Sequence, residues 1–290
     1  MQIGVVFPQT ELGGDVGAVR AYVQGVEAMG FKHVLAYDHV VGADPAVHAP
    51  WTGPYDIDTT FHEPFVLFGY IAAATSLEVV TGVIILPQRQ TALVAKQAAE
   101  VDLLTGGRFR LGVGLGWNTV EYEALGMDFG SRARRIGEQV ALMRRLWAER
   151  SVTGGVDGER VTAAGLAPLP VQRPIPVWFG AFAPAACRRA GRVGDGWFPM
   201  VDPGPRLDAA VAEVRRGAAE AGRDPATLGM EGRLLWGKDK VDEAELAARA
   251  ERWRDAGATH VSVNTMGAGL GGADGHLAAL GRAAAALGLL

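Results

Sequence analysis

The chain has 290 residues, of which 49% are hydrophobic and 21% charged, and a formal net charge of −4. This weakly acidic balance without a basic stripe argues against nucleic acid as a partner, and no apolar run reaches the roughly 20 residues of a membrane span. Cys187 is the only cysteine, which excludes an internal disulfide and a cysteine-based metal cluster. The first residues lack a basic leader, so we expect a cytoplasmic protein whose partner is a small molecule.

Strand-like and helix-like segments alternate along the chain, a pattern typical of βα units around a parallel sheet. In the first half, the patterns predict strands at 3–7, 33–37 and 77–86 and a fourth strand that starts near 108. Helices are predicted at 16–29, 64–74 and 92–104. Residues 117–130 are predicted as loop and short helix.

In the second half, a long amphipathic helix is predicted at 132–148, and an irregular, turn-rich insertion at 152–174. Four further strands are predicted at 176–179, 196–198, 229–236 and 260–264, with helices at 184–191, 207–221, 243–256 and 275–287. Eight strands and eight helices predict a single (β/α)₈ TIM barrel over residues 1–290. A doubly wound sheet is the alternative, because element order alone does not exclude it.

The barrel hypothesis places chemistry at the carboxyl ends of the strands. In and directly after the fourth strand, Gly112, Gly114 and Gly116 remove side chains that would keep a flat ring or a phosphate from the backbone. Trp117 then offers an aromatic wall, and Asn118 a hydrogen-bond donor and acceptor. The dinucleotide pattern G-x-G-x-x-G fails here, because Trp117 stands where its third glycine is required.

Asp38 and His39 follow the second strand, where only one of two successive side chains can face the barrel mouth. This disfavours a metal pair, and the remaining histidines do not fall at ligand spacing. The imidazole of His39 could exchange a proton with a reacting centre near neutral pH; a histidine satisfied by a loop carbonyl is the alternative.

Three other segments are candidates by position. Gly180, Ala181 and Phe182 join the fifth strand to a helix whose first amides could bind a phosphate, although a simple tight turn is as good an interpretation. Gly196 and Trp197 lie in the sixth strand. The long segment between His39 and His62 has the length and composition of a lid over the site.

Together these residues make the chain resemble the luciferase-like flavin enzymes, specifically the branch that depends on the deazaflavin coenzyme F420. The motifs that carry the resemblance are Tyr37-Asp38-His39, Thr81-Gly82-Val83, Leu86-Pro87-Gln88-Arg89, Ala95 to Phe109, Gly114 to Tyr122, and Arg189 to Trp197.

The resemblance implies a cofactor ring at the strand ends and its phosphate near the fifth-strand turn. It also implies a non-proline cis peptide at Gly82–Val83 that presses on the ring, with Asp38 and His39 near the reactive carbon. Two positions depart from the family pattern. Trp117 replaces a glutamate that serves some deazaflavin dehydrogenases as an acid, and Ala181 and Ala183 replace the glycine and hydroxyl residues favoured at the phosphate turn.

The resemblance therefore implies an F420-dependent oxidoreductase that transfers a hydride between the deazaflavin and a small, apolar organic substrate, with His39 assisting proton transfer. An FMN-dependent monooxygenase that uses oxygen and a separate flavin reductase is the first alternative. A barrel that binds flavin or another ligand without catalysis is the second. A homodimer is compatible with the family, and no metal is expected.

Overall fold

The computed structural model describes residues 1–237 and 242–290. The described strands, in chain order, are β1 Gln2–Val6, β2 His33–Ala36, β3 Glu78–Thr81, β4 Ile84–Ile85, β5 Phe109–Gly114, β6 Val152–Val156, β7 Glu159–Ala164, β8 Val177–Ala181, β9 Gly196–Pro199, β10 Gly229–Leu235 and β11 His260–Asn264. The α-helices are α1 Gln9–Leu12, α2 Val16–Ala28, α3 Pro64–Ala74, α4 Thr91–Thr105, α5 Thr119–Ala124, α6 Arg132–Ala148, α7 Pro184–Val193, α8 Pro205–Glu220, α9 Glu243–Asp255 and α10 Ala273–Ala286.

The parallel strands close into a barrel in the order β3-β2-β1-β11-β10-β9-β8-β5, and β5 pairs back onto β3. Because β4 continues β3 along the same neighbour β5, the barrel has the eight strand positions of a (β/α)₈ fold. The predicted barrel is confirmed, and the doubly wound alternative is excluded by the closing β3–β5 pair.

The third predicted strand, 77–86, is broken in the structure. Val79 pairs with Phe109 and Ile84 pairs with Val113, so the β3–β4 side contains one residue more than β5 between these two pairs. Such an extra residue is a β-bulge, a device common next to active sites. The bulge lies at Gly82 and Val83, and the peptide bond between them is cis, as predicted from the resemblance.

The segment predicted as an irregular insertion contains an antiparallel hairpin, β6–β7. Its strands are joined by Asp157 and Gly158, which both have positive φ angles, 34° and 89°. An Asp-Gly pair with this conformation is the preferred two-residue hairpin connection. The prediction of irregular structure was wrong for 152–164 because this short turn signal was not used.

The buried apolar side chains form two groups that follow from strand alternation. The larger group lies between the strands and the surrounding helices. The smaller group lies inside the barrel and consists of Val6, Leu35, Val80, Trp178 and Phe198. Among the described helices, none is long and apolar enough to cross a membrane.

Charged side chains fill the inside of the barrel at the amino ends of the strands. Glu231 on β10 contacts His33 and Arg110, and Arg110 also binds Glu78. The Arg110 guanidinium stacks on Trp178, 4.5 Å from the ring centroid. We call Glu231, His33, Arg110 and Glu78 the basal cluster; it closes the end of the barrel opposite to the candidate site.

Candidate active site

The carboxyl ends of β2, β4 and β5 bring together the first group of predicted residues. Asp38 is buried, and its Oδ1 accepts a hydrogen bond from Arg89 Nη2 at 2.7 Å. Its Oδ2 accepts another from the Ile85 amide at 3.2 Å. Burial raises the pKa of the Asp38 carboxyl, although Arg89 opposes the shift. Asp38 therefore links β2 to the bulged strand at the edge of the barrel mouth.

His39 points to the other side, as alternation requires, and its Nδ1 lies 3.3 Å from Glu121 Oε1. Glu121 is 1% exposed, and the same oxygen accepts a hydrogen bond from the Val40 amide, which fixes the carboxylate. A carboxylate beside Nδ1 favours a proton on that nitrogen and leaves the lone pair of Nε2 available. We call these two residues the His39–Glu121 pair.

Three aromatic rings surround the imidazole of His39. The ring centroids of Phe61, Tyr55 and Trp117 lie 4.7, 5.0 and 5.6 Å from that of His39. Phe61 and Tyr55 belong to the segment that the sequence predicts as a lid, and they also contact each other, with centroids 4.7 Å apart. This apolar enclosure shields the imidazole from water, which strengthens electrostatic interactions within it.

The glycines of β5 make room for protein atoms in this structure. A Cβ at Gly112 would lie 1.8 Å from the Thr81 carbonyl oxygen, and a Cβ at Gly114 would lie 2.4 Å from Val83 Cγ2. Thr81 in turn donates a hydrogen bond from Oγ1 to the Gly112 carbonyl at 2.7 Å. These glycines therefore allow the bulged segment to pack closely against β5. The space left by their missing side chains is filled by Thr81 and Val83, whereas the sequence analysis expected it to be open to a ring.

The residues that follow β5 have different roles. Gly116 has a φ of 68°, which favours glycine, and it directs the chain out of the strand. Trp117 is 39% exposed and packs on Trp51 of the lid segment, with ring centroids 5.7 Å apart. Asn118 is buried, and its Oδ1 accepts hydrogen bonds from the first amides of α5, so it caps the helix that carries Glu121. Asn118 thus positions the His39–Glu121 pair.

The turn after β8 lies where the sequence predicts a phosphate site. Gly180 is half-buried beside Val83, Ala181 is buried, and Phe182 is 68% exposed. Helix α7 begins at Pro184 without a side-chain cap from Ala183. Pro184 has no N–H, however, and the Ala186 and Cys187 amides already donate to the Ala183 carbonyl at 2.9 and 3.0 Å, so this end of α7 offers few free amides to an anion.

Two predicted cofactor residues lie away from the mouth. Gly196 is the first residue of β9, at the amino end of the strand, where a Cβ would collide with Trp178. Trp197 is 3% exposed and belongs to the apolar layer between the strands and the helices. Phe198 is the β9 residue that faces the inside of the barrel. The structure thus places both residues away from the mouth, because β9 extends to Pro199 and its alternation turns Trp197 outward; their contact with a cofactor stays a prediction.

Several residues at the mouth had no signal that sequence reasoning could use. Arg233 on β10 faces the inside of the barrel, and its Nη1 donates a hydrogen bond to the Tyr37 hydroxyl at 2.8 Å. Tyr55 lies in a long loop without periodicity. Arg233 belongs to a strand whose position in the barrel becomes visible only once the sheet closes.

Cavities surround this group of residues. One of about 530 Å³ is lined by Tyr37, Tyr55 and Arg233, and a second of about 290 Å³ by His39, Tyr55 and Phe61. A third, of about 740 Å³, lies between the lid segment and Trp117. Among the described residues, no group of three histidine, cysteine, aspartate or glutamate side chains is placed to hold a metal ion.

The sequence profile of the luciferase-like monooxygenases matches residues 1–286. The chain belongs to the luciferase-like monooxygenase family. It is 31% identical over 261 residues to the F420-dependent hydroxymycolic acid dehydrogenase of Mycobacterium tuberculosis, an alignment that covers 87% of this chain and 66% of that protein. It is 29% identical over 212 residues to the FMNH₂-dependent dimethylsulfone monooxygenase of Pseudomonas putida, covering 72% of this chain and 55% of that protein.

Among solved structures, an F420-dependent secondary alcohol dehydrogenase in complex with an F420-acetone adduct is similar, with a TM-score of 0.77 at 20% identity. That likeness covers 97% of this chain and 98% of the other. This chain spans between 55% and 66% of the length of the two curated relatives named above. The luciferase-like relatives thus include F420-dependent dehydrogenases and FMN-dependent monooxygenases.

The mouth of this luciferase-like barrel has features that fit a flat ring. A small, half-buried apolar surface lies at the strand ends and consists of Gly82, Val83 and Gly180. The uncapped start of α7 follows directly after Gly180 and Ala181 along the chain. A flat ring on this surface is therefore compatible with the residues present, whereas Pro184 and the bonded Ala186 and Cys187 amides leave the start of α7 few donors for a phosphate.

Proposed function

We propose that the chain is an F420-dependent oxidoreductase that transfers a hydride between the deazaflavin and the carbon of an alcohol or carbonyl substrate. The His39–Glu121 pair carries this proposal. Oxidising an alcohol removes a hydride from carbon and a proton from oxygen, and reduction of the carbonyl returns both. A luciferase-like barrel with a histidine paired to a buried carboxylate at its mouth has a group suited to the proton.

In this proposal the bound deazaflavin supplies or accepts the hydride. His39 Nε2 takes the proton from the substrate hydroxyl in the oxidising direction and returns it in the reducing direction. Glu121 orients the imidazole and stabilises it when it carries the second proton. Phe61, Tyr55 and Trp117 exclude water from the imidazole, so that the proton goes to the substrate oxygen.

The first experiment is a parallel equilibrium titration of the purified protein with F420 and with FMN, followed by the fluorescence of each cofactor. We expect F420 to bind at micromolar or lower concentration and FMN to bind more weakly. Preference for FMN would contradict the proposal, and binding of neither would favour a barrel without cofactor chemistry.

The second experiment tests the proton step with matched variants. We expect His39→Asn to lower the rate of F420-linked alcohol oxidation about 100- to 10,000-fold, because general acid–base groups contribute on that scale. The dissociation constant of F420 should stay nearly unchanged. Glu121→Gln should lower turnover too, whereas Glu123→Gln on the exposed face of the same helix should not. Wild-type turnover in His39→Asn would remove the pair from the mechanism.

A second candidate function is an FMN-dependent monooxygenase supplied with reduced flavin by a separate reductase. The similarity to the dimethylsulfone monooxygenase favours it, since that relative covers 72% of this chain. The two candidates differ in oxygen consumption. Oxygen uptake that depends on reduced FMN and on an organic substrate would support the monooxygenase, whereas anaerobic turnover with F420 supports the dehydrogenase.

A further inference from the structure

Arg233 lines a cavity at the barrel mouth and, unlike several other arginines buried in this protein, is not paired with a carboxylate among the described residues. Arg89 pairs with Asp38, Arg110 with Glu78 and Glu231, and Arg135 with Glu159. Arg233 is half-buried at the barrel mouth, and no carboxylate oxygen among the described residues lies within 4.0 Å of its guanidinium. Its hydrogen bond within the described chain goes to the neutral Tyr37 hydroxyl, at 2.8 Å.

An unpaired guanidinium is costly to remove from water, because its charge and its five N–H groups need compensation. The Tyr37 hydroxyl occupies one donor of Arg233. Arg233 lines the cavity of about 530 Å³ together with Asn264. A planar anion in this cavity could accept two parallel hydrogen bonds from the guanidinium, the geometry in which arginine binds carboxylates.

This cavity lies next to the reacting end of the site, and Tyr55 separates the two. Tyr55 lines this cavity and also the one at His39, and its ring centroid lies 5.0 Å from that of His39. A molecule held by Arg233 would therefore lie against Tyr55, one side chain away from His39. Asp202 lines the same cavity, and after Tyr37 and Tyr55 it contributes to the raised pKa of Arg233. Its negative charge favours a singly charged ligand over a dianion such as phosphate.

We infer that Arg233 is a specificity residue that binds the carboxylate of the substrate, which makes the substrate a hydroxy acid or an oxo acid. This inference rests on the proposed function for the reacting carbon, and it replaces the apolar substrate expected from sequence. The inference holds for either direction of the reaction, because the hydroxy acid and the oxo acid carry the same carboxylate.

The test compares acids with uncharged amides of the same shape. Binding of phenylacetate, phenylacetamide, hexanoate, hexanamide and inorganic phosphate is measured by calorimetry on the purified protein, without cofactor and again with F420. We expect each acid to bind about tenfold or more tighter than its amide, because charge-assisted bonds account for the difference. Equal binding of acid and amide by the wild-type protein would overturn the inference without any variant.

Variants test whether Arg233 is the cause of the tighter binding of acids than of amides. Arg233→Gln should abolish it, Arg233→Lys should retain part of it, and Arg216→Gln, which changes an exposed arginine of α8, should leave it intact. Retained preference in Arg233→Gln, or tighter binding of phosphate than of the acids, would overturn the inference. The dissociation constant of F420 should be the same in wild type and Arg233→Gln; a parallel loss would assign Arg233 to the cofactor instead.

The two proposals fail in distinguishable ways. If F420 does not bind but the acids still bind through Arg233, the proposed cofactor is wrong and the carboxylate site stands. If F420 binds and supports turnover but acids show no advantage over uncharged substrates, the oxidoreductase stands and the carboxylate site is wrong.

Discussion

Replacing Glu231 by glutamine should destabilise the protein without affecting the barrel mouth. Glu231 is 3% exposed at the amino end of the barrel. Its Oε1 lies 2.9 Å from His33 Nε2 and accepts the Ser262 hydroxyl, and its Oε2 accepts Arg110 Nη1 at 2.8 Å. Glutamine has the same shape but no charge, and its amide nitrogen turns a donor towards groups that are themselves donors.

The magnitude follows from these contacts. Removing one charged partner from a buried ion-pair cluster costs about 3–5 kcal/mol, because the remaining charge loses its compensation. The unfolding entropy is about 2.1 cal/mol/K per residue, which for 290 residues gives about 0.6 kcal/mol/K. The melting temperature should therefore fall by about 5–8 °C.

The charge of Glu231 also predicts a pH dependence. Burial by itself would raise the pKa of Glu231, but His33 and Arg110 together hold it below its ordinary value. A lowered carboxyl pKa contributes stability above the unfolded value of about 4.3, and this stability is lost as the pH falls below it. The gap in melting temperature between wild type and Glu231→Gln should accordingly shrink in acid.

Thermal melts between pH 3 and 8 provide the assay, and Glu149→Gln is the control, because it removes an exposed partner of Arg145. The control should melt like wild type, since exposed pairs contribute little. A melting temperature for Glu231→Gln equal to that of the control would refute the stabilising role of the basal cluster. A difference in melting temperature between wild type and Glu231→Gln that grows in acid would refute it as well. Cofactor affinity should be unchanged below the melting transition.

Two further predictions concern packing. Gly112→Ala should prevent folding or lower the melting temperature strongly, because its Cβ would lie 1.8 Å from the Thr81 carbonyl oxygen. Gly137 lies within α6, and a Cβ added there would meet no atom within 4 Å apart from the backbone of its own helix. Gly137→Ala should therefore stabilise the protein by about 0.5–1 kcal/mol. Equal melting temperatures for the two variants would contradict the close contact between Gly112 and Thr81. Cys187 is 1% exposed, and burial raises the pKa of its thiol. A thiol reagent should therefore label it only when denaturant is added; rapid labelling of the folded protein would show that the start of α7 opens.

The sequence predicted the barrel well because each βα unit has a strong local signal. Helix α4, for example, ends at Thr105 and is capped by Gly106 in the left-handed conformation, and β5 begins three residues after this glycine, at Phe109. The bulge at Gly82 and Val83 could not be derived from periodicity, since it depends on how β3 and β4 are offset against β5. It was predicted only through the family resemblance. The β6–β7 hairpin had a local signal, Asp157-Gly158, that went unused.

The site was predictable only in part, because its contacts join distant parts of the chain. His39 was a candidate from its position after β2, but Glu121 lies 82 residues further on, and no spacing rule connects the two. The position of Trp197 could not be derived from the sequence, because one residue of strand alternation decides whether a side chain faces the helices or the inside of the barrel. Arg233 could be placed only in the closed sheet, because closure brings this residue of β10 within hydrogen-bond distance of Tyr37, which follows β2.

Two arginines that face the inside of the barrel, Arg110 near its amino end and Arg233 near its mouth, have different partners. At the amino end, Arg110 contacts two carboxylates, and Glu231 contacts two cationic or cation-forming side chains. At the mouth, Arg233 has a neutral hydroxyl as its described partner. Removing a cation from water without a compensating anion costs free energy. In our inference the substrate supplies an anion to Arg233, next to Tyr55, whose ring packs against His39.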